Sequence, residues 1–335
     1  MEYCKDLWYG PYGGCFIADA FTLACDRYFS AFEKAVGDPA FMAEYDDLRR
    51  AFPQPEPRFE TGGPGNAAIC YAPENYGSLF GTALLAKRLG KEAVCGVRYA
   101  DEALLCARVC AHLGVKLHLF LGRSLGALRT LTDQLALLRV SYDAKMCAEL
   151  FDLPEMYAFQ AWVSEADGKH LINCRSNAGA FPQTNIAAAF AALEAKELVE
   201  AAALKLGRFH RVVIPTVSGS YALAVAENLP ETCRCVCVEC DTEADMVQEL
   251  DSYCGTFTKV MRNRTSDRVL APRLMKLEDD GRIQRIRLSP DQAVQAAGGE
   301  PLSLQSYAAL KYCEGQPEEG STLCIVRAPR WGAAL

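Results

Sequence analysis

The chain has 335 residues, 35 Lys+Arg against 42 Asp+Glu, a formal net charge of −7, and is half hydrophobic and 23% charged. That composition excludes a disordered chain, and an acidic balance with no Lys/Arg run excludes a nucleic-acid phosphate track. No stretch of about 18 uncharged apolar residues occurs, and MEYCKDLWYG lacks a basic region followed by an apolar run, so the expectation is a cytoplasmic protein with no membrane partner.

Helical periodicity is clear over 18–35 (ADAFTLACDRYFSAFEKA), and DPAFMAEYDDLRRAF continues it, with Asp38 and Pro39 as an N-terminal helix signal. The Pro/Gly-rich PQPEPRFETGGPGN reads as loop or linker, with a change of domain near 53. Its Gly62, Gly63 and Gly65 follow no clear strand and read as a flexible loop rather than a dinucleotide cradle. From 78 a helix (SLFGTALLAKRLGK), a strand (EAVCGVR), a helix (DEALLCARVCAHLG) and a strand (VKLHLFLG) alternate, the grammar of a parallel sheet with crossover helices. RVVIPTV, a helix at about 220–228 and CRCVCVEC repeat that grammar, and STLCIVRAP is a last strand. The fold class is α/β, doubly wound, with two sheets.

The 16 cysteines are more than a reducing compartment needs for disulfides, and most read as small apolar core residues. In TCRCVCVEC, alternation puts Cys233, Cys235 and Cys237 on one strand face. Only Cys237 and Cys240 have the gap of a zinc knuckle and no second CxxC accompanies them, so a buried strand is favoured over a metal or redox role. His112, His118, His170 and His210 are scattered, none at a ligand spacing from a cysteine pair, and no metal site is expected.

Ligands of open α/β sheets bind at loops beyond the carboxyl ends of strands. Here those loops are VRYADEA, TVSGSYA and RAPRWG. TVSGSYA has one glycine, Gly219, between Ser218 and Ser220. Their hydroxyls could hold a small anion, or the segment is a plain strand-to-helix turn with a serine cap.

These pieces carry a resemblance. YGPYGGCFIADAFTLACDRYFSAFEKAVGDPAFMAEYDDLRRAF resembles the start of the tryptophan synthase β subunit, and GTALLAKRLGK is similar to that family's G-Q-A-L-L-A-K-R-M-G-K helix. HLGVKLHLFLG, LGALRTLTDQLALLRVSYDA, SNAGAFPQ, VVIPTVSGSYALAV, CVCVEC, EPLSLQSYAALKY and IVRAPRWGAAL keep the family's order and spacing. The resemblance implies the fold-type-II fold of pyridoxal-phosphate enzymes. It implies an N-terminal α/β domain of 1–52 and 72–182, with a mobile-type subdomain at about 92–165, and a C-terminal α/β domain of 53–71 and 183–335. It also implies β-replacement chemistry joining serine to indole, which needs a lysine imine, a phosphate cup, a proton-transfer carboxylate and a partner for the pyridine nitrogen.

Residue by residue, the expected machinery is missing. The family's H-K-x-N-N lysine falls on Asn75, and no lysine lies between Lys34 and Lys87, the latter matching a non-catalytic helix lysine. The G-G-G-S-N phosphate cup falls on Val217, Ser218, Gly219, Ser220 and Tyr221. The loop E-T-G-A-G-Q-H-G, whose glutamate is the acid/base, falls on the run from Val97 through Arg98, Tyr99, Ala100, Asp101, Glu102 and Ala103 to Leu104. The serine at the pyridine nitrogen falls on Ala328, the glycine after it on Pro329, and a cofactor-side glutamate on Leu304.

The expectation is a degenerate scaffold with a regulatory, structural or ligand-binding role and no cofactor, although pyridoxal phosphate is the family's. Its old cleft is lined by Asn75, Arg98, Ser218, Gly219, Ser220 and Arg330. The two arginines either receive a small anionic metabolite by bidentate hydrogen bonds or are solvated surface charges. Retained partner-facing regions imply a homodimer or association with a tryptophan-synthase-type subunit. The alternatives are a pyridoxal-phosphate lyase of this type with a lysine from elsewhere, or another enzyme reusing the cleft. In the latter, Tyr99, Asp101 and Glu102 would transfer protons and Cys70 or Cys95 would be the nucleophile.

Overall fold

The computed structural model describes residues 30–31, 33–73, 76–97, 99–144, 170–172, 184–216, 220–240, 270–294, 302–316 and 321–327. In chain order the elements are α1 (Pro39–Ala51), β1 (Arg58–Glu60), a 3-10 turn (Pro64–Asn66), β2 (Ala68–Tyr71), α2 (Gly77–Leu89), β3 (Glu92–Val97), α3 (Ala100–Leu113) and β4 (Leu117–Leu121). There follow α4 (Arg123–Gly126), α5 (Arg129–Leu137), β5 (Ser141–Asp143), β6 (His170–Ile172), α6 (Thr184–Leu206), β7 (Arg211–Pro215), α7 (Ser220–Asn228) and β8 (Arg234–Cys240). The last are α8 (Leu270–Asp279), β9 (Ile283–Leu288), α9 (Pro290–Val294), α10 (Leu304–Glu314) and β10 (Thr322–Val326). Among the described residues no helix is long and apolar enough to cross a membrane.

Helix α1 starts where the sequence places it: Asp38 has extended backbone and its carboxylate accepts the Ala40 N–H at 2.9 Å, with proline following. The same carboxylate takes the Arg88 guanidinium from α2, which with backbone N–H donors holds Asp38 below the usual carboxylate range. Lys87 pairs with Glu44 at 2.9 Å beside it. These pairs are solvent-exposed and fix orientation more than they stabilise.

The chain divides into two compact units, with boundaries between Gln54 and Pro55, between Asn75 and Tyr76, and between 176 and 177. In one, four parallel strands run in the order β5-β4-β3-β6. Helix α2 packs on β3 and β6, and α3 on β3 and β4. Cys95, Cys106 and Cys110 are packed into this interior, as small apolar side chains.

In the other, six strands run in the order β1-β2-β10-β7-β8-β9, all parallel except the β1–β2 pair. Its central strands read as unbroken apolar runs because both faces are covered. One face buries Ala195, Leu198 and Ala202 of α6, Leu223 and Val225 of α7, and Leu274 of α8 against Val212, Ile214, Cys235 and Cys237. The opposite face buries Ala308, Ala309 and Cys313 of α10 against Val213, Val236 and Cys324. The TCRCVCVEC run is accordingly a core strand, with Cys233, Cys235 and Cys237 in one cluster. Every described cysteine is a free thiol, and among the described residues no group of three potential metal ligands occurs.

The glycine segment departs from the sequence expectation. A strand does precede it: β1 is three residues long, too short and too proline-flanked to show as a period-two pattern. The segment is a turn packed on the end of α10, not a free loop. At Gly65, with φ +60°, an added Cβ would stand 2.0 Å from the Cys313 carbonyl oxygen.

Helix α7 ends on a long-range cap. Arg282, in the turn before β9, donates to the Ala226 carbonyl at 2.7 Å and the Leu229 carbonyl at 2.8 Å, occupying acceptors the helix end leaves over. Replacing Arg282 by Met strands those carbonyls, and loss of charge-assisted bonds of this kind costs about 1.5–3 kcal/mol. A urea titration should show a lowered midpoint at unchanged slope, with Arg282→Lys recovering part of it.

Candidate functional site

The carboxyl ends of β2, β10 and β7 form the central edge of the six-stranded sheet, joined by Ala72 N–H to Val326 C=O at 2.9 Å. Arg327 is the first residue past β10. Ser306, fully buried on α10, pins its backbone: the Ser306 hydroxyl accepts the Arg327 N–H at 2.9 Å and donates to the Arg327 carbonyl at 3.1 Å. Ser303 caps α10 by accepting the Ser306 N–H, donates its own N–H to the same Arg327 carbonyl at 3.2 Å, and lies 2.8 Å from the Ser306 hydroxyl.

So held, the half-buried Arg327 lays its guanidinium over the Tyr221 ring, 4.2 Å from the centroid. Tyr221 is the second residue of α7 and packs against the core. Burial pushes its hydroxyl above the usual phenol range, opposed by Arg327 and reinforced by Cys70 and Glu194. Cys70, at the end of β2, is fully buried and pushed up to about 12 by desolvation, again opposed by Arg327. Among the described residues no carboxylate lies within ion-pair distance of Arg327.

Of the residues singled out from sequence, Asn75, Arg98, Ser218, Gly219 and Arg330 lie outside the described residues, as do Val217, Ala328, Pro329 and Trp331. Ser220 is the first residue of α7. Leu304 opens α10 and packs, partly buried, against the core on that face of the sheet. In the four-stranded unit, Tyr99 precedes α3, exposed Asp101 accepts the Tyr76 hydroxyl at 3.3 Å, and Glu102 turns into the interior.

The two thiols offered as nucleophiles are both enclosed. Burial pushes the Cys70 thiol up and away from the thiolate, opposed by Arg327. Cys95 is buried too, donating toward the Gly96 carbonyl at 3.6 Å with the Cys106 sulfur 4.0 Å away. Sequence reasoning passed over Arg327 and Ser306. The signal available was position: Arg327 is the first side chain after the last apolar strand, where α/β ligands gather.

No family model matches the chain. Tryptophan synthase beta chains of Bordetella pertussis, Bordetella parapertussis and Bordetella bronchiseptica are each 29% identical to it over 128 residues, covering 34% of this chain and 32% of the relative. The match thus spans about a third of the length of those relatives, and over it this chain is their distant homologue. Among solved structures, the processed form of threonine deaminase isoform 2 from Solanum lycopersicum superposes with a TM-score of 0.54 at 14% identity, over 91% of this chain and 85% of that one. A pyridoxal 5′-phosphate-dependent aspartate racemase gives 0.54 at 13% identity, over 89% and 93%. The fold is that of the fold-type-II pyridoxal-phosphate enzymes.

That fold implies pyridoxal phosphate, held through an imine to a lysine amine. Among the described residues no lysine is buried. Lys34, Lys87, Lys116, Lys196, Lys205 and Lys276 are exposed, and Lys91 and Lys311 half-buried, the last paired with Glu314 at 2.7 Å. None is enclosed as an imine amine must be to exclude water, so the described residues do not fit an imine-linked cofactor. Lys5, Lys145, Lys169 and Lys259 lie outside them.

Proposed function

We propose that this chain is a tryptophan-synthase-β-like scaffold that has lost Schiff-base chemistry and acts by binding, as a regulatory, structural or ligand-responsive protein. The observation that carries this reading is Asn75, standing where the resembled family has its imine lysine, in a stretch with no lysine from Lys34 to Lys87. An asparagine amide is not nucleophilic and forms no imine. The enclosed surroundings of the described thiols, and the absence of a buried lysine among the described residues, support it. Association as a homodimer, or with a tryptophan-synthase-type subunit, belongs to the same reading, as does a cytoplasmic location without cofactor.

The test is a titration of the purified chain with pyridoxal phosphate, followed by borohydride and peptide mapping. The expected result is no saturable imine band and no reduced pyridoxyl adduct above that on surface lysines. A stoichiometric adduct on one lysine establishes the lyase alternative and ends the scaffold reading.

A further inference from the structure

We propose that Arg327 anchors an anion site in the six-stranded unit, taking a carboxylate group of a small ligand. It rests on the binding reading above for its purpose, and on four observations for its chemistry. First, Arg327 stands at the carboxyl end of β10, beside β7. From β7 the chain leaves through α7 on one face of the sheet, and into β10 it arrives from α10 on the other. Crossovers that part to opposite faces leave a crevice at the strand ends, which is where open α/β sheets bind ligands.

Second, the guanidinium is half-buried with no carboxylate within ion-pair distance among the described residues. Of the other half-buried arginines at strands, Arg285 is neutralised by Glu239 at 2.7 Å, Arg211 donates to the Gln316 side chain at 3.3 Å, and Arg282 to two carbonyl oxygens. A partly desolvated cation is costly until an anion joins it. Third, the Tyr221 ring covers one face of the guanidinium and its hydroxyl engages one donor, leaving the remaining in-plane N–H groups for a planar oxyanion. Fourth, Ser306 and Ser303 fix the residue through its backbone, so the side chain starts from a set position without any charge being spent on it. One cation, with the Glu194 carboxylate near enough to act on the Tyr221 hydroxyl, balances at most one further negative charge, which favours a carboxylate over a phosphate dianion.

The experiment uses the full chain and three probes at matched ionic strength: sodium acetate, sodium phosphate and sodium chloride. Acetate should raise the melting temperature saturably while phosphate and chloride raise it less, and Arg327→Met should abolish the acetate increment. Arg327→Lys should keep part of it, and Ser306→Ala should weaken it. In wild-type protein, acetate should slow phenylglyoxal modification of Arg327, about tenfold at ten times its dissociation constant. This readout needs no variant to fold. Equal acetate increments in wild type and Arg327→Met, no protection of Arg327, or a larger effect of phosphate would each overturn the proposal. None of these bears on the borohydride result: an adduct there with Arg327 still protected removes the scaffold reading and leaves this site standing.

Discussion

Gly65→Ala should lower stability by at least about 3 kcal/mol, read as the shift of the urea midpoint. Two costs add. The residue sits at φ +60°, where a side chain strains the backbone, and the new Cβ would be 2.0 Å from the Cys313 carbonyl oxygen and 2.9 Å from its carbon. Those atoms are backbone at the end of α10 and cannot swing aside as a side-chain tip would. Gly62→Ala is the control: φ is +78° but nothing lies within 4 Å of the added carbon, so only the conformational cost of about 1 kcal/mol applies. If the two variants unfold at the same urea concentration, the turn does not pack on α10 as described.

Raising the pH should unfold the protein cooperatively near roughly pH 10, because the core is built on thiols that ionise only after release. Burial raises Cys70 and Cys110; Cys235 is raised by its hydrogen bond with Cys237 and by burial, and Cys324 by its bond with Cys313 and by burial. The unfolded thiol titrates at its ordinary 9.0. A folded value above the unfolded one means stability that is complete below pH 9 and is lost as pH rises toward the folded value. Each such thiol costs a little over 1 kcal/mol in the first pH unit past that point, so the three of the six-stranded unit, Cys70, Cys235 and Cys324, together remove about 4 kcal/mol, a large part of the stability of many domains. Circular dichroism against pH, in reductant, should show the transition, and Cys324→Ala should make it less steep. A native spectrum retained to pH 12 would mean that these thiols ionise in place.

The α/β alternation was legible because strand-length apolar runs and longer amphipathic segments differ in period, and because Asp38–Pro39 announces α1 chemically. TCRCVCVEC was legible as a strand from its alternation, against the pull of its cysteine count. Strand β1 was not: three residues among prolines leave no period to read, and its partner β2 supplies the reason for it. The role of Gly65 was hidden in the same way, since the surface it touches, Cys313, lies far along the chain. Arg327 shows the limit most clearly. Its significance depends on Ser306 and Tyr221, neither adjacent in sequence, and a lone arginine in IVRAPR gives no sign of being held on one side by a hydroxyl pair and on the other by a ring.

The strand order has a consequence for how the molecule is made. Strand β10 comes after every other described strand, yet it lies between β2 and β7 and pairs with both. Until residues 322–326 leave the ribosome, the β1–β2 hairpin has no parallel neighbour, and β7 presents an open edge. The six-stranded sheet is therefore two unfinished pieces until residues 322–326 are made, joined by β10 across some of the longest sequence separations among the described strands, a slow class of folding step. The arrival that closes the sheet also delivers Arg327, so no half-made chain can carry the anion site.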